Sequence, residues 1–403
     1  MRIYFFTSKL NFRTAGGSIE EFDLMMRTLQ KRGAEVTCVT TFSDGNDIQG
    51  PLPYAVIEED IKNRSLFGTS WGIYNLLKKY QENADFFHVD GHNFLYGAGA
   101  YRRFGGRVPV SAYFNRELGS FPPDRSFLIG KNSESVLRKV RRGIRWILER
   151  TFGMYLARSL DLREFISPMY RRMYENFGLT CRDNCMVLPD PIDLRAIMRE
   201  NGITEYSYRE RLKRDGRLTI FFSSRMAPAK GFDLILAGFS RLKNKDKYHL
   251  ILGGDGPEEG EIKRLAEELG IMRHIEFPGW TPKEKLYEYY KKADMFVQVG
   301  WREEGTSVSL LYALAFGLPS IVRRGSGIAW QAGDAALPVT HGDREALAQA
   351  IERLGEDPDL RAHLSRMCYE RLFADELNYE KNISQWLRAM DAIANQSTLL
   401  KKK

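Results

Sequence analysis

The chain has 403 residues, 43% of them hydrophobic and 28% charged, with a formal net charge of +8. That length exceeds what one hydrophobic core commonly supports and implies two domains, and the balanced composition, free of low-complexity tracts, excludes extensive disorder. The positive charge favours an anionic partner without choosing among nucleic acid, phosphorylated ligand and lipid surface.

The opening MRIYFFTS has one Arg and a short apolar run, so it reads as a buried first strand and not as a secretory signal. Nowhere do about 18 apolar residues run uninterrupted, so no membrane span is expected. Short apolar runs recur at Ile3 to Phe6, Val36 to Thr40, Phe86 to Val89, Val108 to Tyr113, Phe165 to Ile166 and Met186 to Leu188. Longer polar-apolar segments separate them, which implies βαβ units around a parallel sheet. Between the first two runs, Phe22, Met25, Met26 and Leu29 recur at helical spacing, and Gly33 stops the helix.

The segment Ser135 to Arg150, SVLRKVRRGIRWILER, mixes Arg138, Lys139, Arg141, Arg142 and Arg145 with Ile144, Trp146, Ile147 and Leu148. It reads as a basic amphipathic helix. Such a helix either lies on anionic lipid or packs its apolar face on the first domain. No nucleic-acid recognition module surrounds it, so nucleic acid is not expected as a partner. Cys181 and Cys185, with three residues between them, lack a second ligand pair at zinc-site spacing, and Cys38 and Cys368 are isolated. All four read as reduced thiols, and no metal site is expected.

From about Asp193 to Gly216 runs a charged stretch without a long apolar run, suited to a connector. Strand candidates then restart at Leu218 to Phe222, Tyr248 to Leu252, Ile275 to Phe277, Met295 to Val299 and Ser320 to Val322. The predicted domains are 1–195 and 196–376, with a last helix at about 377–397 packing back on the first and a disordered tail at Lys401 to Lys403. Ligands of such α/β folds sit at the carboxyl ends of strands.

After the strand at Leu218 to Phe222 comes SSRMAPAKGFDLIL, which puts Arg225 and Lys230 in a short loop ahead of Gly231 and an apolar helix. Two cations beside a helix amino terminus suit a diphosphate. The next strand runs into Gly253, Gly254, Asp255, Gly256 and Pro257, a turn where backbone can approach a ligand closely. FPGW follows at Phe277 to Trp280, then Ala293 and Asp294, then WREEGTSVSLLYALAFGLPSIV with Glu304, Gly305, Thr306 and Ser307 before a helix.

This ordered set resembles the retaining family-four glycosyltransferases: Arg225, Lys230, Gly231; Gly254, Gly256, Pro257; Phe277, Gly279; Ala293, Asp294; Glu304, Gly305; and Ala313, Gly317, Pro319. Gly16 and Gly17 after the first strand, and PDPID at Pro189 to Asp193, extend the resemblance over nearly the whole chain. It implies the α/β GT-B fold, two Rossmann-like domains facing across a cleft, the first binding acceptor and the second binding donor. Arg225 and Lys230 would then neutralise the leaving diphosphate while Glu304 binds hydroxyls of the transferred sugar. Gly16, Gly17, Gly254, Gly256, Gly279, Trp280, Gly305, Thr306, Ser307 and Tyr312 would line the donor. No cofactor and no metal would be needed, because fixed cations stabilise the charge that builds on the departing diphosphate.

Two positions depart from the family pattern. Tyr312 stands where a second glutamate would hold the nucleotide ribose; a phenol keeps the hydrogen bond and loses the charge. Asn115 stands where a histidine near the donor sugar is expected, and it cannot act as a base. Asn115, His88 and Asp190 are the candidates for the acceptor site, and His92, four residues after His88, is no metal partner for it.

The resemblance implies transfer of a sugar from a nucleoside diphosphate sugar to a glycan or lipid-linked glycan, in cell-surface polysaccharide or lipopolysaccharide assembly. The expected location is cytoplasmic, peripheral on the inner face of the cytoplasmic membrane. A non-catalytic partner of the same fold and a sugar-nucleotide epimerase are the competing readings.

Overall fold

The computed structural model describes residues 1–12, 17–48, 50–118, 135–212, 216–302 and 304–401. Gly16, Glu303, Lys402 and Lys403 therefore lie outside the described residues. The chain forms two compact units, the first drawing on residues within 1–118, 135–192 and 378–401, the second on residues within 193–377.

In the first unit seven parallel strands run β1 (Arg2–Thr7), β2 (Glu35–Thr40), β3 (Ala55–Glu58), β4 (Phe86–Asp90), β5 (Val110–Phe114), β6 (Leu162–Phe165) and β7 (Cys185–Val187). Their spatial order is β3-β2-β1-β4-β5-β6-β7. The order reverses between β1 and β4, which opens a ligand crevice at their carboxyl ends. Ile3, Phe6, Phe86, Phe87, Val89, Val110 and Ala112 are wholly buried, as strands covered by helices on both faces require.

The final helix, Tyr379–Lys401, joins this first unit. Its Trp386 is wholly buried, edge-on to Phe5 at 5.7 Å and to His88 at 4.9 Å. The indole Nε1 donates to Glu164 Oε1 at 2.6 Å. Burial pushes the Glu164 carboxyl up to about 8, because the charged form loses its water.

The second unit has six parallel strands: β8 (Leu218–Ser223), β9 (Tyr248–Gly253), β10 (Ile275–Gly279), β11 (Met295–Gln298), β12 (Ser320–Arg323) and β13 (Ala336–Val339). They lie in the order β10-β9-β8-β11-β12-β13, with the reversal between β8 and β11. Both strand orders are those of doubly wound nucleotide-binding sheets.

Several expectations are corrected. The stretch after Asp193 holds the helices Leu194–Glu200 and Tyr208–Leu212. Asp193 caps the first through Ala196 N at 2.8 Å, and Arg211 donates to the carbonyls of Gly317 and Phe316, ending the apolar helix Val308–Ala315. The strand placed at Phe165 to Ile166 instead starts at Leu162, since Arg163 and Glu164 are buried within it and hide its apolar character. Strands β3 and β13 had no sequence signal. Each is an edge strand of four residues with a half-buried pattern, too short for periodicity to emerge.

Candidate functional site

In the second unit, β8 ends at Ser223 and the chain turns through Arg225 to a short 3₁₀ turn, Pro228–Lys230. Gly231 then takes a left-handed conformation with φ of 74° and opens the apolar helix Phe232–Phe239. A Cβ at Gly231 would stand 2.6 Å from the carbonyl oxygen of Val299. Only glycine lets this loop close on the segment after β11. Trp301 N donates to Ala229 O at 2.9 Å, and its indole Nε1 donates to the buried Asp233 at 2.7 Å, so the two loops are fastened together.

That fastening brings Lys230 to Glu304 across 74 residues of sequence: Lys230 Nζ and Glu304 Oε1 form an ion pair. The other Glu304 oxygen accepts from Gln298 Nε2 at 2.6 Å. Gln298 is the last residue of β11 and is itself buried, which fixes the carboxylate's orientation. Arg225 is exposed and has no ion-pair partner among the described residues. The result is a lysine–carboxylate pair at the carboxyl ends of β8 and β11, with an exposed guanidinium in the same loop.

The glycine turn after β9 wraps the same loop. Gly254 has φ of 103°, and a Cβ there would lie 2.0 Å from Ser224 O, while Gly254 N donates to Gly279 O at 2.9 Å. Gly256 closes on Met226 O in the same way. Glu258, just past the turn, is buried with Oε1 unpartnered, and burial raises its carboxyl to about 7. Trp280, one residue beyond β10, is 67% exposed and presents a bare indole.

Ser307 caps the helix Val308–Ala315 by accepting from Leu310 N at 3.3 Å. Its own N–H donates to the buried Gln331 at 2.7 Å. Gly305 and Thr306 lie in the turn between Glu304 and this cap; Gly305 O stands 2.0 Å from where a Cβ on Gly327 would be, so that contact admits only glycine. Tyr312 is 7% exposed, its ring edge-on to Tyr287 at 5.4 Å and to Tyr290 at 5.9 Å. Its ring belongs to the packing of the helix Val308–Ala315 on the helix Lys283–Lys292.

In the first unit, Gly17 opens the helix Gly17–Lys31 after β1. Asn115, one residue past β5, donates from Nδ2 to Asp90 Oδ1 at 3.0 Å, and Thr7 donates to Asp90 Oδ2 at 3.3 Å. Burial raises the Asp90 carboxyl to about 6, against the opposing pull of Arg116 and the two hydrogen bonds. Asp190, after β7, accepts from the Tyr113 hydroxyl at 3.4 Å. Burial first, then the neighbouring Asp190, drives the Glu21 carboxyl well up. Thr7, Asp90, Asn115 and Asp190 thus meet at the carboxyl ends of β1, β4, β5 and β7, with Glu21 above them.

His88 is a correction. It is wholly buried between Phe5 and Trp386, bonds Ser111 Oγ through Nδ1 at 2.8 Å, and is held neutral by burial, its pKa lowered to about 3. A residue in the middle of β4 on the inward face cannot meet an acceptor. His92 is also interior, bonded to Glu149 at 3.1 Å and facing Tyr96 and Tyr174. Asp90, Glu21, Gln298 and Glu258 were missed. Asp90 and Gln298 each close an apolar strand, and that position in sequence was the available signal.

The folds of both units and their switch-point sites define the GT-B class, a pair of Rossmann-like α/β domains. Anabaena HepE, solved in complex with UDP, aligns with 97% of this chain and 100% of its own at 16% identity, with a TM-score of 0.64. Residues 205–371 match the family described as Glycosyl transferases group 1, so the second unit carries a group 1 region. Mannosylfructose-phosphate synthase of Agrobacterium fabrum is 28% identical over 226 residues, 53% of this chain and 49% of that protein. The lipopolysaccharide core biosynthesis glycosyltransferase LpsD of Rhizobium meliloti is 35% identical over 145 residues, 35% of this chain and 40% of that one. The matches with these two relatives span about half of their length or less.

Proposed function

We propose that the chain is a retaining, metal-independent glycosyltransferase that moves a sugar from a nucleoside diphosphate sugar to a glycan or lipid-linked glycan in cell-surface polysaccharide or lipopolysaccharide assembly. The observation that carries this reading is the Lys230–Glu304 pair, with the exposed Arg225 in the same loop, at the switch point of the second unit. The second unit binds the donor and the first binds the acceptor.

When the bond from the sugar's anomeric carbon to the phosphate oxygen breaks, its electron pair goes to the diphosphate. Arg225 and Lys230 meet that growing charge and lower the barrier more than they tighten ground-state binding. Glu304 accepts from hydroxyls of the sugar and, through its bond to Lys230, sets where the ammonium stands. Gln298 holds Glu304. Gly254, Gly256 and Gly279 let backbone approach the donor, with Gly305, Thr306 and Ser307 around it. Trp280 offers its indole to the base, while Tyr312 supports this wall from within.

The acceptor hydroxyl attacks from the face the diphosphate leaves, and its proton passes to the leaving phosphate oxygen. Asn115, Asp90 and Asp190 bind the acceptor's hydroxyls, and no side-chain base is needed. Assays of transfer and of donor hydrolysis across a panel of sugar nucleotides test the assignment; unchanged turnover in both Lys230→Ala and Glu304→Ala would sink it.

We also assign an anionic membrane surface as a partner of residues 135–150. None of the described helices is long and apolar enough to cross a membrane. The helix Val136–Leu148 has no buried residue, and Val136 and Leu137 are 76% and 60% exposed. Co-sedimentation with anionic vesicles that weakens with salt is the expected result; binding that survives charge reversal of Arg138, Arg141 and Arg142 would refute it.

A further inference from the structure

The first unit holds a groove of about 710 Å³ that the acceptor residues above do not use. One wall is the helix Leu66–Tyr80, with Phe67 73% and Trp71 67% exposed. The other is the basic helix Val136–Leu148 and the π turn Glu149–Gly153 that continues it, with Ile144 55% and Phe152 56% exposed. The helix Leu95–Arg103 lies along it through Tyr96, Gly97 and Ala100. Single exposed apolar residues are ordinary, but a contiguous apolar hollow of this kind marks a contact surface. Its volume lies in the range of sites that enclose most of a small ligand.

Among the described residues that line the hollow, the exposed charge is positive. The wall helix VLRKVRRGIRWIL carries five cations and no acid, and Arg141 and Arg145 themselves line the groove. The one carboxylate on this wall, Glu149, is 1% exposed and committed to Arg145 at 2.9 Å and His92 at 3.1 Å. The network continues from His92 to the Tyr174 hydroxyl, which donates to Arg116 O at 2.8 Å, next to Asn115. An occupant must therefore be apolar along its body and anionic at one end.

We infer that this groove seats one hydrocarbon chain of an anionic lipid, with the lipid's phosphate at Arg141 and Arg138. The inference deepens the lipid-linked form of the proposed acceptor and rests on it. It differs from surface adsorption because it needs the aromatic wall at Phe67 and Trp71, which no charge on the basic helix replaces.

The probe is dodecyl phosphate below its micelle concentration, titrated into the full chain by calorimetry, with inorganic phosphate as control. The expected result is saturable binding of dodecyl phosphate, at least about 100-fold tighter than inorganic phosphate, and about tenfold weaker in Trp71→Ser/Ile144→Ser. Both substituted side chains are exposed, so the variant should keep the thermal midpoint of the unaltered protein. Equal affinity of the two proteins for dodecyl phosphate would overturn the inference even if anionic vesicles still bind. A concentration-dependent dimer in sedimentation that the same substitutions dissolve would also overturn it, giving the groove to a second copy of the chain. Tight dodecyl phosphate binding without turnover of any sugar nucleotide would instead remove the transferase reading and leave the groove assignment standing.

Discussion

The two units share a strand order up to their edges, yet the residues at their strand ends carry opposite charge. In the first unit Asp90, Asp190 and Glu21 gather three carboxyls, and burial holds the protons of Asp90 and Glu21 more tightly. In the second, Arg225 and Lys230 stand in the loop after β8, and Lys230 is paired with the Glu304 carboxylate. The fold supplies a crevice in both cases, and the few side chains following each strand decide what enters it. A site rich in carboxyls suits neutral hydroxyls; a site of fixed cations suits a diphosphate.

The sharpest way to break this contrast is Lys230→Ala, which should lower kcat by about 10² to 10³ in a protein that still unfolds cooperatively. Steady-state kinetics with a saturating donor would read it. If Asp90→Asn lowers donor hydrolysis as much, the two crevices do not divide the work as proposed; that variant should instead raise the KM for acceptor and spare hydrolysis.

Next in size is a pH effect confined to the first unit. Glu164 has its carboxyl raised to about 8 in the fold, against about 4.3 when unfolded. The folded state therefore binds the extra proton in that window, and its contribution to stability is full below pH 4 and lost as pH rises to 8. Glu164→Gln keeps the acceptor for Trp386 and removes the titration. Denaturant midpoints should show it more stable than the parent at pH 8, by on the order of 3 kcal/mol, and less so at pH 5. His88 acts in the opposite sense: held neutral by burial with its pKa at about 3, it costs stability as pH falls below about 6.5.

Smaller effects test the supports of the second site. Gln298→Ala frees Glu304 on one side and should lower kcat about tenfold with little change in KM for acceptor. Trp280→Ala should weaken nucleotide binding by about 1 kcal/mol, read by calorimetry, with kcat unchanged.

The second unit was the more legible of the two in the sequence, for a physical reason. Its chemistry sits on glycines and loop cations in fixed order, and Gly231 and Gly254 announce backbone positions that other residues cannot take. The buried strand runs were equally plain. The first unit's polar cluster is assembled from Thr7, Glu21, Asp90, Asn115 and Asp190, spread over five elements, and no local pattern joins them. His88 misled because a histidine in an apolar strand looks the same whether its ring points to ligand or to core. The groove beside the basic helix was half visible: the cations of 138–145 were read, but Phe67 and Trp71 belong to a helix remote in sequence.

The central claim is that Arg225 and Lys230 hold the donor diphosphate. Calorimetric titration of uridine and guanosine diphosphates into the parent chain and into Arg225→Ala/Lys230→Ala tests it most directly. The account predicts that at least one nucleotide binds the parent and that the double variant loses about 100-fold or more in affinity. Equal affinity in the two proteins would contradict it.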